Sequence, residues 1–406
     1  MLSWRKNLFA VTAATFIGFT GFTLVMPFLP LYFRQLGVTD VGEIALWSGL
    51  SLGVTPAITA LMAPLWGRLA DRVGRKIMIE RSLASFVVVM GAMGFVTQAW
   101  HVFALRAIQG LFAGYGALAL TMAADAAPRD RMAFAIGTVQ TAQRIGPALG
   151  PVIGGAVAQM VGLRRAFLVT AGFYLVALVL VFAMYHERRS RPVDATTSEE
   201  RITFGSVLAL ENFILLIGVV FGLQFVDRSF GPVLPLYVTE LGMPIDAVPI
   251  LSGMLFSISA GAGAVGNHLA RGLLERTSAR GVIAGCAAVA ALGTLTYVFA
   301  TGIGVLVAGT TLFGLALGAA STAAYTAAGA VIPAEARGAG FGLLTTGSLI
   351  GLATSPVICG LLGTQSLRAV FVLDSIALIL VAGLVRRLMV ISGKTATTAA
   401  PATEEV

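Results

Sequence analysis

Four charged side chains inside apolar segments are the residues of this 406-residue chain that could do chemistry. Arg106, Arg144, Asp227 and Arg228 each interrupt a run of apolar residues. An ion in hydrocarbon is costly unless it finds a partner, so such residues mark ion or substrate pathways. A carboxyl group there could bind and release a proton, and an arginine could hold an anionic charge. We take these four as candidates for proton coupling or for the charge of a central cavity.

Asp227 has two interpretations on the sequence alone. If its side chain faces a cavity, it can act as a proton carrier. Otherwise it forms a fixed ion pair across helices, with Arg144 or Arg106 as partner. Neighbours on a helix point about 100° apart, so Asp227 and Arg228 are not expected to face one partner together. Asp374, in the last apolar run, is interpreted as structural.

The elements that must position these residues are apolar helices. The chain is 57% hydrophobic and 11% charged, with a mean hydropathy of +0.90. A soluble domain carries about 25% charged residues, so this chain belongs in a bilayer. Closed barrels show short alternating segments, whereas a helical span needs about 20 apolar residues. We predict twelve spans, at 8–33, 45–66, 77–98, 100–123, 133–160, 163–185, 209–237, 247–270, 280–300, 302–328, 338–362 and 367–389.

The positions of the 27 Lys and Arg residues predict the orientation. With both termini in the cytoplasm, only Arg34, Arg164, Arg165 and Arg368 fall on the outer side, which is the positive-inside pattern. This pattern explains the net charge of +8 without a nucleic-acid partner. Residues 1–6 lead directly into the first run, so we expect that span to be retained.

The chain repeats itself at an offset of 205 residues. Pro27-Phe-Leu-Pro-Leu-Tyr32 recurs as Pro232-Val-Leu-Pro-Leu-Tyr237, and Pro151-Val-Ile recurs as Pro356-Val-Ile. Duplicated halves with a cavity between them are typical of transporters that rock between two states, and less so of channels or membrane enzymes. We predict two pseudo-symmetric six-helix bundles, 1–185 and 204–390, joined by a cytoplasmic linker, 186–203, and followed by a disordered tail, 391–406.

A cluster of opposite charges follows the second predicted span in the segment GRLADRVGRK, residues 67–76. It resembles the signature loop of the major facilitator superfamily, and the resemblance implies the major facilitator fold. The alternative is a plain positive-inside loop. Such a cluster could latch the cytoplasmic helix ends in one state and release them in another. The predicted latch residues are Gly67, Asp71, Arg72, Gly74, Arg75, Lys76 and Asp125.

Two further segments resemble motifs of the same superfamily. Arg106-x-x-Gln109-Gly110 resembles its helix-4 motif, which implies a role in proton transfer or in shaping the cavity. The alternative is a hydrogen bond from the arginine to a neighbouring helix. Residues 137–155 resemble the helix-5 motif of the antiporters, and the matching residues are Gly137, Gly146, Gly150, Pro151, Gly154 and Gly155.

The glycines of that fifth run also predict close helix packing. Gly146, Gly150 and Gly154 recur every four residues and form one small-residue ridge. We expect this ridge to meet the eighth span of the other half, and its repeat at 351–360 to meet the second span.

The resemblance covers nearly the whole chain and points to twelve-helix drug:proton antiporters of bacterial multidrug efflux type. It implies a monomeric, multi-pass protein of the bacterial inner membrane whose partners are a small-molecule substrate, protons and the lipid bilayer. We expect no enzymatic activity, cofactor or metal, and the chain has no nucleotide-binding loop of the G-x-x-x-x-G-K-[ST] type. The alternatives are export of a defined metabolite, such as a sugar or amino-acid derivative, and a non-transporting receptor or scaffold.

One departure from that family concerns the first run, which lacks the acidic residue that many such antiporters carry. Aromatic, Met and Gln side chains could instead line a pocket for flat lipophilic molecules, although many of the aromatic ones will only pack or face lipid. The predicted pocket residues are Phe19, Phe22, Met26, Gln109, Gln140, Gln224 and Phe225.

Overall fold

The computed structural model describes residues 3–128, 131–187, 208–333 and 337–390. These ranges hold fourteen helices of seven or more residues. In chain order they are α1 (Ser3–Leu24), α2 (Leu29–Gln35), α3 (Val41–Val73), α4 (Arg75–Met93), α5 (Ala99–Phe112), α6 (Tyr115–Ala126), α7 (Met132–Val161), α8 (Leu163–Met184), α9 (Phe213–Glu240), α10 (Val248–Arg276), α11 (Ala279–Val298), α12 (Ile303–Val331), α13 (Arg337–Gly363) and α14 (Leu367–Leu388).

Each apolar run corresponds to one helix or to a broken pair. The first run divides into α1 and α2, because prolines at positions 27 and 30 favour a turn over 25–28 and a new helix start. The fourth divides into α5 and α6 at Gly114, whose φ of 124° is open to glycine but strained for other residues. Most of the linker predicted at 186–203, and all of the tail at 391–406, lie outside the described residues.

Nine helices are long and apolar enough to cross a membrane, counting only the part of the chain that the structure describes. They are α1, α3 and all helices from α8 to α14. The remaining predicted spans fall on α4, on the short pair α5 and α6, and on α7. Helix α4 is less apolar than a typical span because it carries Arg75, Lys76, Glu80 and Arg81. The chain is thus an all-helical membrane protein, and the count of twelve spans stays a prediction.

In each half of the chain, one asparagine near the start bonds to the backbone near the end. In the first half (3–187), Asn7 Nδ2 donates to the carbonyl of His186 at 2.9 Å, and the His186 amide donates back at 3.1 Å. In the second half (208–390), Asn212 makes the same two bonds to Val390, at 3.1 and 2.9 Å. Asn212 stands 205 positions after Asn7, so the sequence offset reappears as a repeated contact.

The proline-containing repeats occupy equivalent places in the two halves. The Tyr32 hydroxyl donates to the carbonyl of Met93, and the Tyr237 hydroxyl donates to the carbonyl of Tyr297, both at 2.5 Å. Each tyrosine ring also packs on a phenylalanine from the last long helix of its half, α8 or α14. The repeat therefore fixes how the first and third predicted spans of each half meet.

The halves meet along two glycine-lined crossings, of α3 with α13 and of α7 with α10. A Cβ placed on Gly360 would lie 2.7 Å from the Ala45 carbonyl oxygen, and one on Gly155 would lie 2.8 Å from Ile250 Cα. Gly253 likewise leaves room for the carbonyl of Pro151. Glycine permits this approach because it has no side chain to hold the backbones apart.

These close approaches lie at the end of the molecule where α3 and α10 begin. Towards the other end of α3, Leu61 and Leu65 are 74% and 53% exposed, and a Cβ on Gly67 would meet no atom within 4 Å. The described halves therefore contact closely at one end and leave α3 uncovered at the other.

The small-residue ridge packs on α1, so the expectation that it meets α10 is wrong. A Cβ on Gly146 would lie 2.9 Å from the Phe16 carbonyl oxygen, and Gly154 is covered by the backbone of Leu24. The face that reaches α10 includes Gly155, about 100° further round the helix from Gly154, and Pro151. The repeat of this ridge packs in the same way, since Gly351 faces α9 of its own half. Gly360, at the end of the repeat, reaches α3 of the other half, as expected.

Candidate functional site

Arg106 is buried in the first half, with 2% of its surface exposed. Its Nη1 donates to Gln109 Oε1 at 3.0 Å, one helical turn further along α5. Its Nε and Nη2 have no hydrogen-bond partner among the residues the structure describes. The Thr55 hydroxyl of α3 donates to the Arg106 carbonyl at 2.9 Å and fixes α5 at this point.

Tyr174 lies within electrostatic range of this arginine, and Tyr115 lies within the same range of Tyr174. Tyr115 and Tyr174 both pack on the ring of Phe86, with centroids 6.0 and 5.1 Å away, and Tyr174 interacts electrostatically with Arg106. Within the described ranges, neither hydroxyl has a hydrogen-bond partner. We call Arg106, Gln109, Tyr115 and Tyr174 the Arg106 cluster.

The helix that lacks an acidic residue makes room for these tyrosines through two glycines. A Cβ on Gly18 of α1 would lie 2.5 Å from the Tyr115 hydroxyl oxygen, and one on Gly21 would lie 3.2 Å from Tyr174 Cζ. The two glycines are three residues apart and share one face of the helix. Sequence reasoning missed this face, because aromatic residues in apolar helices are most often packing residues.

The break between α5 and α6 puts Tyr115 at the start of a new helix, directly after Gly114. A broken helix frees carbonyl groups, which must find donors inside the protein. Here Trp66 Nε1 donates to the Leu111 carbonyl at 2.7 Å, and Arg81 Nη2 donates to the Phe112 carbonyl at 3.1 Å. The Arg81 guanidinium also lies 3.6 Å from the centre of the Trp66 ring. Neither Trp66 nor Arg81 was singled out from the sequence.

Asp227 and Arg228 pair with each other. Arg228 Nε lies 3.2 Å from Asp227 Oδ2, and both side chains are about one-third exposed. The Asp227 partner found among the described residues is thus its neighbour, rather than Arg106 or Arg144, and Arg144 is exposed. Asp227 also lines a small cavity of about 20 Å³ together with Phe230 and other residues of the second half.

Asp374, which the sequence analysis interpreted as structural, is a buried carboxyl group of the second half. It is fully buried in α14, and Ser229 of α9 donates to its Oδ2 at 2.6 Å. Its Oδ1 has no hydrogen-bond partner in the described part of the chain. In the sequence, Asp374 and Ser375 form a polar pair within one of the most apolar runs. In the structure the Ser375 hydroxyl lies 2.8 Å from that of Thr294.

The segment 67–76 is mostly helix rather than the loop that was expected. Helix α3 continues to Val73, and only Gly74, with a φ of 103°, separates it from α4. Arg75 donates its amide to Glu187 at 2.8 Å and its guanidinium to Asp125, and Lys76 donates to the Phe182 carbonyl at 3.0 Å. These bonds join α4 to α6 and α8 of the same half. The Asp71 side chain lies outside the described structure.

The predicted pocket residues do not gather around one point. Phe19 packs on Tyr115, Phe225 packs on Phe221, and Gln109 is buried in the Arg106 cluster. Met26 lies near Gly231 of the other half, and Gln140 is exposed. The remaining two, Phe22 and Gln224, are half-buried. Their use as a pocket remains a prediction.

No group of three His, Cys, Asp or Glu side chains in the described ranges could hold a metal ion. The described residues define a helical membrane protein with repeated halves, close glycine crossings between them and buried ionisable groups that have no ion-pair partner among those residues. Such an arrangement is typical of polytopic membrane proteins that move solutes by rearranging two halves.

The sequence places the chain within that class. It matches the Major Facilitator Superfamily over residues 11–303 and 251–405, and it belongs to this family. The superfamily consists of transporters, which agrees with the expectation that the chain is not an enzyme.

Several proteins resemble parts of the chain. It is 36% identical over 259 residues to the multidrug resistance protein MdtG of Serratia proteamaculans, covering 64% of this chain and 63% of that protein. It is 36% identical over 257 residues to MdtG of Citrobacter koseri, covering 63% of each. The matches thus span somewhat less than two thirds of these relatives.

Among solved structures, a bacterial homologue of the human lysosomal transporter Spinster, in an inward-facing and occupied conformation, has the same fold. The TM-score is 0.79 at 17% identity, with 95% of this chain and 97% of that chain covered.

Proposed function

We propose that the chain is a secondary active transporter that exports lipophilic drugs or other toxic compounds in exchange for protons. The observation that carries this proposal is the contact between the halves, which is close at one end and open along α3 at the other. Such an arrangement suits a protein that alternates between two states. Family membership and the names of the relatives support it.

The proposed topology has twelve spans in two six-helix bundles, 1–185 and 204–390, with both termini in the cytoplasm. In this orientation the crossings near Gly155 and Gly360 lie towards the outside, and the uncovered end of α3 faces the cytoplasm. The proposed state is then inward-open, for a multi-pass protein that we place in the bacterial inner membrane. The Lys and Arg distribution supports this orientation.

The switch between states would proceed by rocking about the two glycine crossings. In the outward-open state, the crossings of α3 with α13 and of α7 with α10 separate, and the cytoplasmic end of α3 becomes covered. Gly67 has empty space above it in the present state, which leaves room for a helix to pack there. The bonds from Arg75 to Asp125 and Glu187 would hold the latch segment in shape.

Asp227 is the proposed proton carrier. It is partly exposed, lies within α9 and shares its charge with Arg228 at 3.2 Å. Protonation of the Asp227 carboxyl group would neutralise it and release Arg228 from the ion pair. The proposed substrate path includes Phe19, Phe22, Met26, Gln140, Gln224 and Phe225, and the exposed Arg144 adds positive charge to its wall.

The test is the pH change that a drug gradient drives in proteoliposomes containing the full chain. We expect the wild type to respond, Asp227→Asn to lose the response, and Asp246→Asn, an exposed carboxyl in the same half, to keep it. Unaltered proton movement in Asp227→Asn would reject Asp227 as the carrier. A wild type that responds to no compound in a broad drug panel would reject drug efflux.

Export of a defined metabolite is the second candidate, and the Arg106 cluster favours it because a lipophilic drug has no need of so many donors. A growth-inhibition panel in an efflux-deficient host separates the two functions. Resistance to several unrelated compounds supports drug efflux, and resistance to none, with accumulation of one polar metabolite outside the cell, supports the second.

A further inference from the structure

The Arg106 cluster holds more hydrogen-bond donors than acceptors. Arg106 can only donate, so its bond to Gln109 requires the amide oxygen to face the guanidinium. The Gln109 amide nitrogen is therefore one more donor, and it too has no partner among the described residues. With Arg106 Nε and Nη2 and two tyrosine hydroxyls, five buried donor-capable atoms remain unmatched.

The cluster also holds a positive charge that its surroundings do not neutralise. The ion pairs found in the described structure involve other residues, and none joins a carboxylate to Arg106. A buried ion without a counter-charge is strongly unfavourable. Water could accept the hydrogen bonds but would leave the charge uncompensated. An anion supplies both the acceptor and the opposite charge.

We propose that Arg106, Gln109, Tyr115 and Tyr174 bind a small monovalent anion in the core of the first half. The ligand is a compact acceptor such as chloride, or the carboxylate group of a transported compound. It must be compact because Gly18 and Gly21 of α1 close against the two tyrosines. The site is separate from Asp227, which lies in the second half, and it holds whether or not the exported compound is a drug.

The position of the site gives the anion a structural consequence. Arg106 and Gln109 lie on α5 and Tyr115 lies on α6, so a shared ligand bridges the break at Gly114. Bound anion would hold the two helices in one relative orientation, and its release would let them move against each other. The anion thus couples its own binding to the shape of the first half.

The experiment measures the thermal unfolding midpoint of the purified full chain in detergent. Chloride replaces 2-(N-morpholino)ethanesulfonate, a larger anion without a carboxylate group, at constant ionic strength. We expect chloride to raise the midpoint with saturation, because a ligand that binds only the folded state stabilises it. Arg106→Gln should lose this rise, and Tyr174→Phe should weaken the apparent chloride affinity about tenfold, as expected for one hydrogen bond to an ion.

The control is Arg165→Gln, which removes an exposed arginine of α8 and should keep the full chloride response. Benzoate and the neutral benzamide, each added to the same sulfonate salt, distinguish the two sources of the anion. A rise with benzoate but not with benzamide or chloride assigns the site to a substrate carboxylate.

An unchanged midpoint with both chloride and benzoate would overturn the proposal and leave a water-filled cluster. If Arg106→Gln does not fold, the tyrosine variants decide. A chloride response that persists undiminished in both Tyr115→Phe and Tyr174→Phe would then place the anion elsewhere and overturn the site.

Discussion

The two halves of the chain bury ionisable groups of opposite kind, and neither group has a partner of opposite charge among the described residues. In the first half the group is the Arg106 guanidinium, surrounded by donors; in the second it is the Asp374 carboxyl group, which accepts one bond from Ser229. The backbone contacts repeat between the halves, as the paired bonds of Asn7 and Asn212 demonstrate. Duplication has therefore kept the scaffold while the buried ionisable groups diverged.

The largest effect is expected where a substitution blocks the helix packing that both halves repeat. Gly146→Leu and Gly351→Leu each place a side chain against the first long helix of their half, where a Cβ would lie 2.9 Å from the Phe16 and 2.7 Å from the Phe221 carbonyl oxygen. We expect both variants to insert in the membrane and to lose transport. Membrane abundance and efflux assays measure the two effects, with Gly172→Leu, in open space, as the control.

Retained transport in one of these two variants only would mean that the halves are not equivalent at this contact.

Substitutions of Asp374 test whether its carboxyl group lacks a cationic partner. Removing one partner of a buried ion pair costs about 3–5 kcal/mol, whereas Asp374→Asn retains an acceptor for Ser229 and should cost about 1 kcal/mol or less. Asp374→Ala should cost more, about 1–3 kcal/mol, because it leaves the buried hydroxyl unmatched. Thermal unfolding midpoints of the purified variants rank the three proteins. A large loss in Asp374→Asn would reveal a cationic partner and remove the contrast with Arg106.

The Asn7 and Asn212 contacts test whether the two halves depend equally on the same backbone bonds. Asn7→Ala removes two bonds at a buried site and should lower the unfolding midpoint more than Asn212→Ala, whose bonds are exposed. A cost of about 1–2 kcal/mol is expected for the first variant. The double variant should be additive, because the sites lie in different halves. A double variant that loses much more than the sum would show that the two contacts act as one unit.

The smallest effect is expected at the Arg75–Asp125 pair, which has no described counterpart in the second half. Both side chains are partly exposed, so Asp125→Asn should cost about 0–1 kcal/mol. The difference in midpoint from the wild type should shrink at high salt, since screening weakens exposed pairs. A loss that is large and independent of salt would contradict this expectation.

The apolar runs predicted where the described long helices lie, because the length and hydropathy that a span needs can be read from the sequence. The breaks escaped prediction, since Gly114 and the turn at 25–28 depend on donors such as Trp66 that come from other helices. Segment 67–76 was expected to be a loop because it is polar, yet α3 extends through most of it. Polarity predicts where a helix leaves the lipid, and it does not predict where the helix ends.

The candidate site was less accessible from the sequence than the fold. Arg106 and Gln109 stood out through their motif, but Tyr115 and Tyr174 are separated from them by loops and helices, and only the fold brings the four together. The ridge of Gly146 was assigned to a neighbour in the wrong half. Small residues identify a close contact on their own face and carry no information on which helix makes it.

The asparagine bonds between helix beginnings and helix ends also bear on how such a chain can arise. Since Asn7 lies against His186, the first half starts and finishes at adjoining points on the same surface of the molecule. A unit of this shape can be fused head to tail with a second copy of itself in the same orientation. An ancestral gene for one half could thus have doubled without remodelling either copy, and the Asn212 contact would be the inherited mark of that event.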